Sequence, residues 1–222
     1  MFISPKSLFG KCYGRYAIAA INVFHMEQVL GVFSAASKAQ SPVILQTTPL
    51  ARNYAGHGML LAMISAAAAR YPEVVYAIHL DHGTEEHILD ALAKGGYSSV
   101  MIDASHDPLE KNIERTKAMV QAAHAQGLVV EAELGILSGV EDDLDIDAAH
   151  ARYTQPEEAI HFVQTTGCDS LAIAVGTSHG AYKFSGQQGI QFSILEEIQR
   201  RMPGFPLVLH GGSSVDQNEV AR

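Results

Sequence analysis

The sequence predicts an α/β fold of the (β/α)8 TIM-barrel type, represented here through its seventh strand. Three observations carry this expectation. Short apolar, β-branched runs alternate with longer amphipathic stretches along the whole chain. Each run is continuous rather than alternating, as for a strand buried on both faces of a parallel sheet. Nearly every run also ends in a polar or ionisable residue, the pattern of a barrel whose site lies at the C-terminal strand ends.

The elements follow in order. The first run, residues 16–23, carries Asn22 at its end, and a helical pattern over 26–37 follows. The run 42–47 ends at Thr48, and 59–70 is the next helix. The run 74–80 leads into Asp81-His82, and 85–93 is helical. The run 98–102 is closed by Asp103, and the helix 109–125 precedes the run 128–134 with its Glu131 and Glu133. After the helix 156–165, the run 170–175 is followed by His179. After the helix 193–201, the run 206–209 is closed by His210. Such alternation predicts βαβ units with right-handed crossovers. Seven strands would also suit an open doubly wound sheet. The glycine fingerprint of that fold is missing after the first strand, which reads Ala20-Ile21-Asn22-Val23-Phe24-His25. With no linker or low-complexity segment, residues 1–222 read as one barrel domain whose eighth strand is absent.

Composition narrows the function classes. Of 222 residues, 47% are hydrophobic, enough for a sizeable core. The net charge of −9 argues against nucleic acid or an anionic membrane as partner. Only Cys12 and Cys168 are present, and the start Met1-Phe2-Ile3-Ser4-Pro5-Lys6 lacks the apolar segment of a secretion signal, so a disulfide framework is not expected. The greasiest stretch, 60–69, is interrupted by Ser65 and falls short of the roughly 20 residues that span a bilayer. These features predict a soluble, cytoplasmic protein. Eleven histidines direct attention to metal or proton chemistry.

Three histidines share a setting. His82, His179 and His210 each follow or close a strand, and each is followed by glycine. Taken singly, each reads more readily as a hydrogen-bonded structural residue. In a closed barrel the strand ends converge, and three imidazoles with an open position suit Zn²⁺ as a Lewis acid, with Co²⁺ or Fe²⁺ as weaker candidates. His79 is expected to point into the barrel wall, without a catalytic role. Asp81 adjoins His82 and has two readings: a proton acceptor beside the metal, or a partner that orients a ligand imidazole. Gly180 and the turn Gly211-Gly212-Ser213-Ser214 could cradle a phosphate on backbone N–H groups, helped by a helix beginning near Val215; such a turn is also an ordinary loop. Two long connections stand out. Residues 135–153 include five acids between Glu141 and Asp147, and residues 177–189 include Lys183 among glycines. Long loops in compact domains are often lids, whereas an acidic run is more often a solvated face.

At this point several motifs resemble one family. They are Ala77-Ile78-His79-Leu80-Asp81-His82-Gly83, Ser98-Ser99-Val100-Met101-Ile102-Asp103, Val130-Glu131-Ala132-Glu133-Leu134-Gly135, Ala174-Val175-Gly176-Thr177-Ser178-His179-Gly180-Ala181-Tyr182-Lys183 and Leu207-Val208-Leu209-His210-Gly211-Gly212-Ser213. In this order they resemble the signatures of the class II, metal-dependent aldolases of fructose 1,6-bisphosphate and tagatose 1,6-bisphosphate. The resemblance implies that His82, His179 and His210 bind the zinc, with Asp103 and Glu133 lining its site. It implies that Asp81 exchanges the proton of the C4 hydroxyl and that Glu141 takes the proton lost from C1. Gly180, Gly211, Gly212 and Ser213 would hold a phosphate, with Na⁺ or K⁺ nearby. Asn22, Thr48 and Lys183 would contact substrate, Thr48 being the looser match. The family also implies an eighth strand followed by C-terminal helices, both absent from residues 1–222, and a homo-oligomer, dimer or tetramer. Cleaving the C3–C4 bond leaves charge as an enediolate, which a dication stabilises without a Schiff-base lysine. Lys183 sits in a glycine-rich loop rather than on a strand, which disfavours a lysine mechanism. Fructose bisphosphate is the expected substrate and tagatose bisphosphate the alternative. The reading from another class is an inactive fragment or a non-catalytic metal-binding subunit.

Overall fold

The computed structural model describes residues 1–141, 144–146, 152–179 and 189–220. Two compact units divide the chain, one of Met1–Ile102 with Gln121–Val130, the other of Asp103–Val120 with Glu131–Arg222.

The first unit repeats strand and helix. Its elements are α1 (Lys6–Cys12), β1 (Ala19–Asn22), α2 (Met26–Ala39), β2 (Val43–Thr47), α3 (Pro49–Ala55), α4 (His57–Arg70), β3 (Tyr76–Gly83), α5 (Glu85–Lys94) and β4 (Ser99–Ile102). The strands pair in parallel as β1-β2-β3-β4. Helix starts are set by short polar side chains. The Thr48 hydroxyl accepts from the Ala51 N–H at 3.2 Å, and Pro49 supplies a pre-set φ and no orphan donor in the first turn of α3. His87 Nδ1 accepts from the Thr84 N–H at 3.3 Å, closing the entry to α5. Phe33, Leu45, Leu60, Ile64, Leu80 and Ile88 are completely buried between helices and sheet, each contributing about 1.5–3 kcal/mol.

One expectation fails here. The first run is not buried on both faces: all four residues of β1 are exposed, whereas β2 to β4 are almost wholly buried. The reason is pairing. Among the described residues β1 has a neighbouring strand on one side only, β2.

The second unit is built from α6 (Leu109–His124), β5 (Val129–Leu134), β6 (Ser138–Glu141), β7 (Leu144–Ile146), α7 (Pro156–Thr166), β8 (Ser170–Ile173), β9 (Ser178–His179), α8 (Phe192–Arg201), β10 (Leu207–Val208) and α9 (Gln217–Val220). α6 ends, and β5 begins, in residues of the first unit. There the Val129 N–H donates to Ser98 O at 3.2 Å. β8 pairs in parallel with β5 and with β10. Through the shared strand the order is β1-β2-β3-β4-β5-β8-β10, and every ladder described in it is parallel. Thr154 joins two strands of this unit: its hydroxyl donates to Leu134 O and accepts from the Ala174 N–H at 2.8 Å.

The connection 135–153, expected as a loop, contains structure. β6 and β7 pair antiparallel within it, and β9 joins β6 in parallel, giving a small sheet of order β7-β6-β9. Its sequence already held the signal, since apolar and acidic residues alternate in Leu144-Asp145-Ile146 as in a strand.

Candidate active site

In the first unit the site begins with Asp81. β3 is buried at every position except His82, which is half-buried, and Asp81 is 2% exposed. In the sheet register Asn22 stands opposite Gln46, and Gln46 opposite His79. Side chains two apart on a strand share a face, so Asn22 and Gln46 lie on the face of Asp81, one step before it. Both reach its carboxylate. Asn22 Nδ2 donates to Oδ2 at 3.0 Å and Gln46 Nε2 donates to Oδ1 at 2.9 Å. Hydrogen bonds of this kind to a charged group are worth about 1.5–3 kcal/mol each. They fix the carboxylate as an acceptor in a defined place. Asn22, expected to touch substrate, thus also holds Asp81. Gln46 was not singled out from the sequence. Its signal was a polar residue inside the apolar run Val43-Ile44-Leu45-Gln46-Thr47, since a buried amide requires a partner.

His82 is held by backbone geometry. Its φ is +45°, one of two positive values among the described non-glycine residues, and the β3–β4 register shifts between Leu80 and Gly83. A bulge of this sort re-aims a side chain at the end of a strand. The left-handed conformation costs about 1–2 kcal/mol for a residue with a Cβ. A ring nitrogen of His82 lies within 4.8 Å of a carboxylate oxygen of Asp81. Gly83 permits this arrangement because a Cβ there would meet Met101 O at 2.9 Å. His79 is buried, and its Nδ1 lies 2.8 Å from the Ser99 hydroxyl. Thr48 is buried, and its hydroxyl caps α3.

The second unit holds the remaining acids. Asp103 Oδ1 accepts from the Ser105 N–H at 3.1 Å and from the Ser105 hydroxyl at 2.8 Å, a turn that fixes the carboxylate. Carboxylate oxygens of Asp103 and Glu133 lie within 4.8 Å of each other. Glu133 is 3% exposed, and Asn112 Nδ2 on α6 donates to its backbone oxygen at 3.0 Å. Glu131 and His210, both buried, meet at 2.9 Å between Oε1 and Nε2. Gly211 has φ +68°, and a Cβ there would lie 2.5 Å from Ser178 O, so the turn after His210 admits no side chain. Gly212 and Ser213 are exposed and open a short 3-10 turn, Gly212–Ser214. The helix expected near Val215 begins at Gln217, as α9.

The backbones of His179 and Glu141 lie in β9 and β6. Gly180 and Lys183 lie outside the described residues. Both cysteines are free thiols. Burial pushes the Cys168 thiol up to about 12, so it is no nucleophile at neutral pH. Among the described residues no helix is long and apolar enough to cross a membrane.

Imidazole and carboxylate donors at strand ends, several of them fixed by hydrogen bonds or by strained backbone, fit a divalent cation of the zinc, cobalt or iron kind. Donors of these kinds at strand ends are the ones metal-dependent enzymes of the barrel class use. The comparisons give the family. Residues 5–222 match the description "Fructose-bisphosphate aldolase class-II". The chain is 42% identical over 203 residues to the fructose-bisphosphate aldolase of Helicobacter pylori, covering 91% of this chain and 66% of that protein. It is 45% identical over 208 residues to that of Thermus caldophilus, covering 93% and 67%. Among solved structures, the YdjI aldolase from Escherichia coli K12 superposes with a TM-score of 0.80 at 32% identity, over 97% of this chain and 74% of that one. The chain belongs to the class II fructose-bisphosphate aldolase family, which is metal-dependent and acts on sugar bisphosphates, and it has that family's TIM-type fold. It spans about two thirds of the length of the curated relatives.

Proposed function

We propose that this protein is a metal-dependent ketose-bisphosphate aldolase, a carbon–carbon lyase that reversibly cleaves fructose 1,6-bisphosphate to dihydroxyacetone phosphate and glyceraldehyde 3-phosphate. The observation that carries the reading is the buried Asp81 carboxylate, locked by the amides of Asn22 and Gln46 beside His82. A carboxylate so placed is built to accept a hydroxyl proton and return it. In this reading Asp81 takes the proton of the C4 hydroxyl as the C3–C4 bond breaks. Glu141 exchanges the proton at C1 of the other half. His82, His179 and His210 hold a divalent ion, with Asp103 and Glu133 lining its site. When bound, that ion supplies Lewis-acid stabilisation of the charge left by cleavage. Gly180, Gly211, Gly212 and Ser213 bind a phosphate, with a monovalent cation nearby, and Asn22, Thr48 and Lys183 orient the sugar. Zinc is the proposed metal. A cytoplasmic homo-oligomer, with residues 1–222 forming part of one barrel domain, is the proposed state.

The test is cleavage of fructose 1,6-bisphosphate and tagatose 1,6-bisphosphate, each with and without EDTA. The expected result is cleavage of the fructose compound, lost in EDTA and restored by Zn²⁺. Chelator-resistant cleavage with borohydride trapping of a lysine would replace this reading by a Schiff-base mechanism. Zinc binding with no cleavage of either compound would leave a non-catalytic metal-binding protein.

A further inference from the structure

We propose that Glu131 is a positioning residue that selects the tautomer of His210 and aims its Nδ1 at the metal. This rests on the reading of His210 as a ligand. Glu131 and Glu133 are two apart on β5, on one face of a strand that is buried at all six positions. A carboxylate taken out of water costs several kcal/mol unless it is paired and hydrogen-bonded. Glu131 meets this requirement with a residue 79 positions away, through the 2.9 Å contact of Oε1 with His210 Nε2.

The chemistry of the pair fixes the proton. An ionised carboxylate only accepts, so the imidazole must donate, and the hydrogen lies on Nε2. In the neutral ring Nδ1 then carries the lone pair, on the opposite side from Glu131. A metal-bound imidazole whose other nitrogen donates to a carboxylate is a better and better-aimed ligand. The backbone adds a second constraint. Gly211 packs so tightly against Ser178 O that the turn carrying His210 has little room to shift. Glu133 and Glu131 therefore divide the work of β5. One faces the carboxylate of Asp103 within 4.8 Å, and the other is committed to an imidazole.

Three measurements on the full chain test this. Long-range ¹H–¹⁵N spectra of the metal-free protein should show His210 as the Nε2–H tautomer. The Nδ1–H tautomer would overturn the proposal without any mutation. In chelator-competition titrations with Co²⁺, Glu131→Ala should weaken binding roughly 10–100-fold. Glu131→Gln, whose amide oxygen can still accept from Nε2–H, should recover most of that loss and retain the tautomer, which a purely space-filling role of Glu131 does not require. Co²⁺ binding by both variants within twofold of the native protein, with His210→Ala losing the metal, would overturn the proposal alone. Native-like Co²⁺ binding by His210→Ala would instead remove the ligand reading beneath it.

Discussion

At the end of β3 the chain reads Asp81-His82-Gly83, and at the end of β10 it reads His210-Gly211-Gly212. The first closes a strand of eight residues, buried almost throughout; the second lies just beyond a strand of two residues, half-buried. Both glycines are obligatory for the same reason, a backbone carbonyl oxygen where a Cβ would stand. The histidines before them are held differently. His82 takes its direction from a bulge and a left-handed backbone, whereas His210 takes its direction from a buried carboxylate on β5. A long, well-paired strand can store strain at its end, because the ladder behind it over-determines the backbone. A two-residue strand has no such reserve, and a side-chain hydrogen bond replaces it.

The comparison can be broken or sharpened by substitution. The largest expected effect belongs to the β3 end: Asp81→Ala should lower the cleavage rate by about 10²–10⁴-fold while Co²⁺ remains bound in a chelator competition. Next, Gly211→Ala should destabilise the protein by about 4 kcal/mol in urea unfolding, combining left-handed strain with a backbone collision. His210→Ala should cost the metal-free protein about 3 kcal/mol, because it takes the imidazole from the buried Glu131 carboxylate. Gly83→Ala should cost about 2 kcal/mol, since its φ is ordinary and only packing is offended. The smallest effect is at His82→Gly, which should leave metal-free stability within about 1 kcal/mol of native because relieved strain offsets lost contacts. If His82→Gly and His210→Ala destabilise equally, the two ends are not held by different means.

Much of the fold was legible beforehand. All seven runs of the main sheet became strands, and the six expected helices formed within a few residues of their predicted bounds. Local patterns suffice there, because continuous apolar runs and 3.6-residue periodicity reflect burial directly. α1 and α3 escaped notice because each is only seven residues long, although Thr48-Pro49 was a readable helix start. In the small sheet, the local pair β6–β7 had a readable alternation at Leu144-Asp145-Ile146, whereas the pairing of β6 with β9 joins segments 40 residues apart and left no pattern. Of the candidate site, the ionisable strand ends could be read one at a time. Gln46 could not be connected to Asp81, nor Glu131 to His210, because spacings of 35 and 79 residues carry no pattern.

By itself, the sequence determined the strand–helix repeat, the ionisable residues at the strand ends and the family. The tertiary structure decided which of two neighbouring glutamates meets an imidazole, which amides grip Asp81, and that β1 is exposed while β3 is buried. Burial pattern and motif are local properties of a chain. Hydrogen-bond partnership depends on register and on approach in space, and only the folded molecule sets those.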